Sequence, residues 1–395
     1  MAVLDNAGPA RRTSFLNDPV FRGVFYQVVV GVAVVVFFAW IVSNTLTNLA
    51  ALNKTTGFDF LWQTSGFNIS FSLIPFDRAS YYWQVFLVGL TNTLLVAVIG
   101  IALATMIGFT VGIARLSSNF IIARLAAIYV ETIRNIPLLL QLFFWYFAVL
   151  KAMPAVRDSI VLPLGIFINQ RGIFLPKPIV DDRFLFVLAA LAIGIAMALV
   201  IRGWAMRRLM ATGKRFPVVL AGLGAIVAVV GVVWIVSGAS LTFDPPVLNR
   251  FNFKGGVDVP PELLALVVGL SIYTASFIAE TVRGGILAVS HGQTEAAQSL
   301  GLNEGDRLRL VIVPQAMRVI IPPLTSQYLN LIKNSSLGAA IGYPELVSVF
   351  AGTTLNQTGR AIECIALVMV VYLTFSLSTS AIMNAYNARV ALVER

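Results

Sequence analysis

"EAAQSLGLNEGDRLRLVIVP", running from Glu295 to Pro314, decides how the rest of the chain is read. It gathers Glu295, Glu304, Asp306, Arg307 and Arg309 between two long apolar runs. The whole chain of 395 residues is 58% hydrophobic and 12% charged, whereas a soluble domain is about 25% charged. Such a chain cannot clothe itself for water, so it is read as an integral membrane protein. A charged, helix-forming, glycine-punctuated segment inside it therefore needs a reason.

Working outward, about 20 apolar residues are needed to cross a bilayer as a helix. Eight stretches qualify: Val24–Val42, Val85–Ile113, Ala123–Leu150, Phe184–Ile201, Pro217–Val236, Leu263–Val282, a less apolar Val319–Ile341, and Ile362–Tyr386. The expected fold is an all-α membrane protein with about eight transmembrane helices. Val24–Val42 lacks a small-residue cleavage site and reads as a retained span. Arg11-Arg12 resembles a twin-arginine address only superficially.

Net charge is +10. In a soluble protein this would suggest nucleic acid; here basic residues anchor cytoplasmic loops. With the N-terminus inside, the inner segments hold Arg11, Arg12, Arg22, Arg115, Arg124, Arg202, Arg207, Arg208, Lys214, Arg215, Arg283, Arg307, Arg309, Arg318, Arg389 and Arg395. The outer loops, 43–84, 151–183, 237–262 and 342–361, are richer in aromatic residues, Pro, Asn and Gly. Both termini and the quoted stretch then lie in the cytoplasm. The Arg202–Arg215 cluster is read as a stop-transfer anchor, with a lipid-headgroup site as the weaker alternative. Cys364 stands alone in an apolar run and is read as a buried small hydrophobe. No solenoid or inverted repeat is visible.

Local signals predict helix–turn–helix across the quoted stretch. Ser290 with Gln293 fits a capping box. Gly301 is placed to end that helix in the left-handed conformation. Asn303 is a suitable N-cap, with Glu304 and Asp306 in the following first turn. Pro314 is expected to stop or kink the second helix. Ala296, Ala297 and Gly301 leave room for another protein surface. The plainer reading is a solvated loop.

The spacing favours the former. Glu295-Ala296-Ala297, three residues, Gly301, nine residues and Val311-x-Val313-Pro314 resemble the EAA loop of ABC-importer membrane subunits, with valines where that family prefers Ile and Leu. "YVETIRNIPLLLQLFFWYF" (Tyr129–Phe147) and "LNLIKNSSLGAAIG" (Leu329–Gly342) resemble the polar amino-acid permeases for histidine, glutamate, glutamine, arginine and opines. In the latter, Asn334-Ser335 stands where Asp-Thr is more usual. The likeness covers roughly 85–150 and 263–390. The longer general L-amino-acid and glutamate/glutamine/aspartate/asparagine permeases also resemble this chain in its additions.

That resemblance implies four regions. An N-terminal extension with the first helix and a periplasmic loop occupies 1–84; the first part of a five-helix permease core, 85–150; an insertion with two spans, 151–262; and the second part of the core, 263–395, with the EAA loop at 290–318. It implies coupling to a separate ATPase through Glu295, Ala296, Ala297, Gly301 and Pro314. The implied partners are a second related permease, with a heterodimer favoured, two ATP-binding subunits and a periplasmic amino-acid-binding protein. The implied substrate is a polar L-amino acid, and the implied location is the bacterial inner membrane among its lipids. Nucleic acid is not an expected partner.

Charges at depth are costly, about 2.5–3.5 kcal/mol on insertion scales. Glu131 and Arg134, at i and i+3, can pair on one face; an intrahelical clamp and a translocation-path or gate role both stay open. Pro137 frees the carbonyl of Ile133. Asn330, Lys333 and Asn334 share one face, which is expected to look into protein or a water-filled path, with subunit packing as the alternative. Pro322-Pro323 marks the start of that span or a kink. Glu280 and Arg283 read as an interfacial ion pair. His291, the single histidine, cannot form a zinc site alone and reads as a solvated neighbour. The chain carries no G-x-x-x-x-G-K-[ST] and no catalytic or metal cluster. It is therefore expected to be a non-enzymatic subunit with no cofactor of its own, ATP and magnesium belonging to the partner. The rival reading is a stand-alone secondary transporter or channel.

Overall fold

The computed structural model describes residues 19–51, 57–214, 216–250 and 252–390. Arg11, Arg12, Arg215 and Arg395, with the side chain of Arg389, lie outside them. Among the described residues, seven helices are long and apolar enough to cross a membrane, or eight if one sharply bent pair forms a span. The expected helical membrane fold is therefore present.

α1 (Pro19–Ala51) exposes nearly all its described side chains. The core starts with α2 (Tyr82–Ala114). Gly100, Ala104, Gly108 and Gly112 recur along it every fourth residue and are all buried. This small-residue stripe lies against α7 (Pro261–Leu287) at Ala275, Ile278, Ala279 and Val282. The helices run side by side in the same direction, Gly100 meeting the Ser271 level and Gly112 the Val282 level. A Cβ on Gly108 would sit 2.6 Å from Ile278 Cβ, so only glycine permits this approach. Small residues matter because lipid tails are as apolar as leucine, leaving close packing to hold helices together.

α3 (Phe120–Asn135) and α4 (Leu138–Phe143), continued by a π-helical run Phe144–Leu150, correct the expectation of one span over Ala123–Leu150: they meet at 106°. Proline disfavours helical geometry in the residue before it. Ile136 accordingly adopts φ −98°, ψ 129° before Pro137. Gln141 Nε2 donates to both Ile133 O and Ile136 O at 2.9 Å, filling the acceptors left open by the break. From there α4 climbs antiparallel to α7, Leu142 against Gly269 and the Tyr146 hydroxyl on Glu262 at 2.7 Å.

Residues 151–262, expected to be an insertion, contain the two expected helices and also strands that hydropathy did not reveal. β1 (Ile160–Leu162), β2 (Ile166–Asn169) and β3 (Gly172–Leu175) form an antiparallel sheet completed by a later strand, β8 (Val257–Val259), with Phe174 opposite Asp258. β4 (Lys177–Val180) leads into α5 (Phe184–Thr212); α6 (Val218–Ser237) returns to β5 (Leu241–Asp244). β4 and β5 pair, Lys177 opposite Asp244, so the α5–α6 hairpin is clasped at its base. β6 (Val247–Asn249) and β7 (Asn252–Lys254) make a further pair. Val156, Phe174 and Phe253 form the insertion's small core.

After α7 come α8 (His291–Ser299), α9 (Glu304–Arg307), a π-helical turn Leu308–Ile312 and α10 (Val313–Asn334). Pro314 neither stops nor separates a second helix. It follows a turn whose hydrogen bonds are already shifted to the wider π register, and the helical path continues through it. Pro322 and Pro323, expected at a span's start or kink, lie inside α10. α10 packs Ile320, Leu324 and Leu331 into the α2–α7 core. A 3₁₀ turn (Ser335–Ile341), a π-helical run (Val347–Thr354), α11 (Leu355–Thr358) and α12 (Ala361–Val390) complete the chain. Phe60, Tyr82, Phe350 and fully buried Cys364 belong to a second apolar cluster on this side.

Gly108→Leu is expected to destabilise the detergent-purified protein by about 1–3 kcal/mol through overpacking, read as a lower melting temperature. Gly203→Ala, where an added Cβ meets nothing within 4 Å, should leave it unchanged.

Candidate functional site

The quoted stretch forms a projecting platform. In α8, Ala297 is buried and Thr294 half-buried, while Gly292, Glu295 and Ala296, with Leu300 just past its end, face outward. One face thus seats the helix on its own chain and the other is free of it. Gly301 has φ +73°, the left-handed value expected. Its N–H donates to Gln298 O at 2.9 Å, and Leu302 N–H to Ala297 O at 3.1 Å. These are the two bonds of a Schellman ending. Open space surrounds Gly301, so its requirement is conformational and not steric.

Asn303 caps α9 as expected, its Oδ1 accepting from Asp306 N–H at 2.9 Å. The Ser290/Gln293 box does not close. Ser290 makes no side-chain cap bond, and Gln293 Oε1 turns instead to accept from Gln315 Nε2 at 3.1 Å. That bond ties α8 to α10, a contact distant in sequence that a local pattern could not reveal. His291 is solvent-exposed as expected, and its Nδ1 lies 2.9 Å from Glu295 Oε1, one helical turn away.

Beside the platform, at the same end of α7, an ionic cluster joins three helices. Glu280 accepts from Arg283 Nη2 at 2.6 Å, the pair expected from sequence, and from Arg115 just past α2. The intrahelical Glu131–Arg134 pair does not form among the described residues. Arg134 lies over the Phe277 ring at 5.0 Å, on the side towards Glu280. The ring face on α7, and not Glu131 on its own helix, is the contact this guanidinium makes. Glu131 itself is exposed.

On α10, Asn330 and Lys333 are exposed and Asn334 half-buried, so their shared face points away from this chain's core. Further along, sequence reasoning missed a buried polar knot. Asn92 Nδ2 donates to Phe71 O at 3.0 Å and Pro344 O at 2.9 Å. Thr93 Oγ1 accepts from Leu346 N–H at 3.1 Å. Glu345, 0% exposed, accepts from the N–H groups of Val347 and Ser348, both at 2.7 Å, and from the Tyr372 hydroxyl at 3.3 Å. Burial raises the Glu345 carboxyl to about 7 against the lowering effect of those donors. The available signal was a lone Glu between Pro344 and an apolar run.

A carboxyl harder to ionise when folded favours the folded state at low pH, and that advantage is lost as pH rises from the ordinary carboxylate range to about 7. Melting temperatures measured from pH 5 to 8 should fall more for the wild type than for Glu345→Gln. Parallel profiles would contradict this.

Residues 100–392 match the family described as binding-protein-dependent transport system inner membrane component. The chain is 52% identical over 382 residues to the general L-amino acid transport system permease protein AapQ of Rhizobium johnstonii, covering 97% of this chain and 95% of that protein. It is 39% identical over 422 aligned positions to the glutamate/glutamine/aspartate/asparagine transport system permease protein BztB of Rhodobacter capsulatus, covering 98% and 97% respectively. A crystal structure of an amino acid ABC transporter with histidines aligns with 78% of this chain and 95% of its own, at 21% identity and a TM-score of 0.46.

Proposed function

We propose a substrate class and a coupling route for this chain, which belongs to the family of binding-protein-dependent transport system inner membrane components. It is a multi-pass permease subunit of an ABC importer. Its substrates are polar L-amino acids, a reading supported by the near-full-length likeness to permeases named for general L-amino acid and for glutamate, glutamine, aspartate and asparagine transport. It sits in the bacterial inner membrane with both termini and the α8 platform in the cytoplasm. The basic residues near α8 support this orientation.

The observation that carries the coupling route is the one-sided seating of α8. Ala297 anchors it, Gln293 ties it to α10, and Glu295, Ala296 and the Gly301 turn remain presented outward. A separate ATP-binding subunit docks on that outer face; a pair of them carries the ATP and magnesium. Closure of the ATPases displaces α8, and the continuous helical path through Pro314 passes the motion into α10. A periplasmic amino-acid-binding protein delivers substrate to the opposite end. A second, related permease completes the pore, and the exposed Asn330, Lys333 and Asn334 face lines the path or gate between the two. Arg134 serves as a positioning residue of the Glu280 cluster, and Glu131 faces outward beside it. The functional core comprises 85–150 and 263–395, with 1–84 and 151–262 as additions.

Glu295→Lys, or Gly301 replaced by a bulky residue, should leave the complex inserted while reducing ATP-driven uptake at least tenfold and leaving ATP hydrolysis unlinked to substrate. The left-handed strain at Gly301 is about 1–2 kcal/mol, too little to unfold the protein. The test measures uptake of labelled polar L-amino acids and ATPase activity together in proteoliposomes. Normal substrate-stimulated uptake by well-inserted variants would contradict the coupling route.

A further inference from the structure

The α5–α6 hairpin packs mainly upon itself, Gly194 against Ile226 and Gly222 against Ala198, and is clasped at its base by β4–β5. At its other end a cavity of about 800 Å³ separates it from the segment that follows α8. Met206, Leu209 and Phe216 wall one side and Leu310 the other. Arg202 borders it from α5 and Arg309 from the turn that follows α9. Asp306 also borders the cavity, but its carboxylate is occupied in the α9 cap: Oδ2 accepts from Asn303 Nδ2 at 2.9 Å. Exposed Arg207 and Lys214 lie near the hairpin turn. Trp204 and Phe216 meet edge to face at 5.2 Å with the Arg208 guanidinium over Trp204 at 5.3 Å. Aromatic rings beside cations mark the boundary between hydrocarbon and headgroups.

A cleft with apolar walls and two guanidinium groups at its edge, at that depth, is complementary to one kind of molecule. We propose that it holds an anionic phospholipid, its phosphate between Arg202 and Arg309 and its acyl chains along Met206, Leu209 and Leu310. Guanidinium binds phosphate oxygens through paired N–H donors. A choline headgroup would add a cation to a cationic edge, whereas phosphatidylglycerol adds none. The lipid joins the insertion to the first turns of the α9–α10 path, so the hairpin becomes mechanically continuous with the coupling segment. The inference rests on the inner-membrane location and orientation proposed above, but lipid retention can be measured without ATP hydrolysis or uptake.

The test is native mass spectrometry of the assembled transporter, purified in detergent and supplied with equal phosphatidylglycerol and phosphatidylcholine. The wild type should retain phosphatidylglycerol with a preference on the order of tenfold, from two cations at the headgroup level. Arg202→Gln with Arg309→Gln should abolish that preference, and Lys214→Gln should keep it. Brominated phosphatidylglycerol should quench wild-type fluorescence more than brominated phosphatidylcholine at equal mole fraction, a reading that needs neither arginine variant to fold, and equal quenching by the two would count against the site. Equal retention of both lipids by the wild type would overturn the proposal. So would an undiminished preference in the double variant, or a cross-link from position 206 to the second permease showing that protein fills the cleft.

Discussion

The approach of α2 to α7 through Gly100, Ala104, Gly108 and Gly112 is the contact on which the remaining structure depends. Within lipid there is no hydrophobic gain from joining two apolar helices, so packing must come from backbones close enough to interlock. Once the pair forms, Ile320, Leu324 and Leu331 of α10 and Leu142 of α4 find their places against it. Arg115 is brought to Glu280 at the end of the pair. α8 leaves α7 only a few residues later, so its position is inherited from the core and not from a loop of its own.

A second constraint explains the buried polar residues. In a membrane each backbone group must find a partner within the protein. Where the helices are regular, none is needed from side chains. Where they break, a polar side chain stands at the break. Gln141 supplies the donor at the Ile136–Pro137 bend. Asn92, Thr93 and Glu345 do the same for the irregular backbone at Pro344–Ser348. These residues sit where the chain departs from simple helices, and their burial follows from that work.

This also explains what the sequence could convey. Spans were legible because apolar length acts locally, although Phe184–Ile201 is only the apolar part of α5, which runs on to Thr212; Gly301 took its left-handed turn for an equally local reason. The Asn330–Lys333–Asn334 face was legible by spacing. The bend at Pro137 was half legible; the freed Ile133 carbonyl was foreseen, whereas the 106° change of direction and its Gln141 partner were not. The β3–β8 and β4–β5 pairings escaped because they close across the whole hairpin, beyond any window of hydropathy, and the local strands because each is only three or four residues long. Arg134 was assigned to Glu131 because i, i+3 spacing says nothing of the ring on a neighbouring helix. The Gly100–Gly112 stripe was present in the sequence as small residues every fourth position, and it marked the principal interface.

In the proposed coupling route a separate ATPase bound at α8 moves this permease. The most direct measurement places single cysteines at Glu295 or Ala296, after replacing Cys364, and asks in native membranes what they cross-link to. The expected result is an adduct with an ATP-binding subunit, changing in yield when ATP is trapped, together with uptake that stops when ATP is exhausted although ion gradients persist. A chain that forms no such adduct and still moves amino acids on an ion gradient would contradict it.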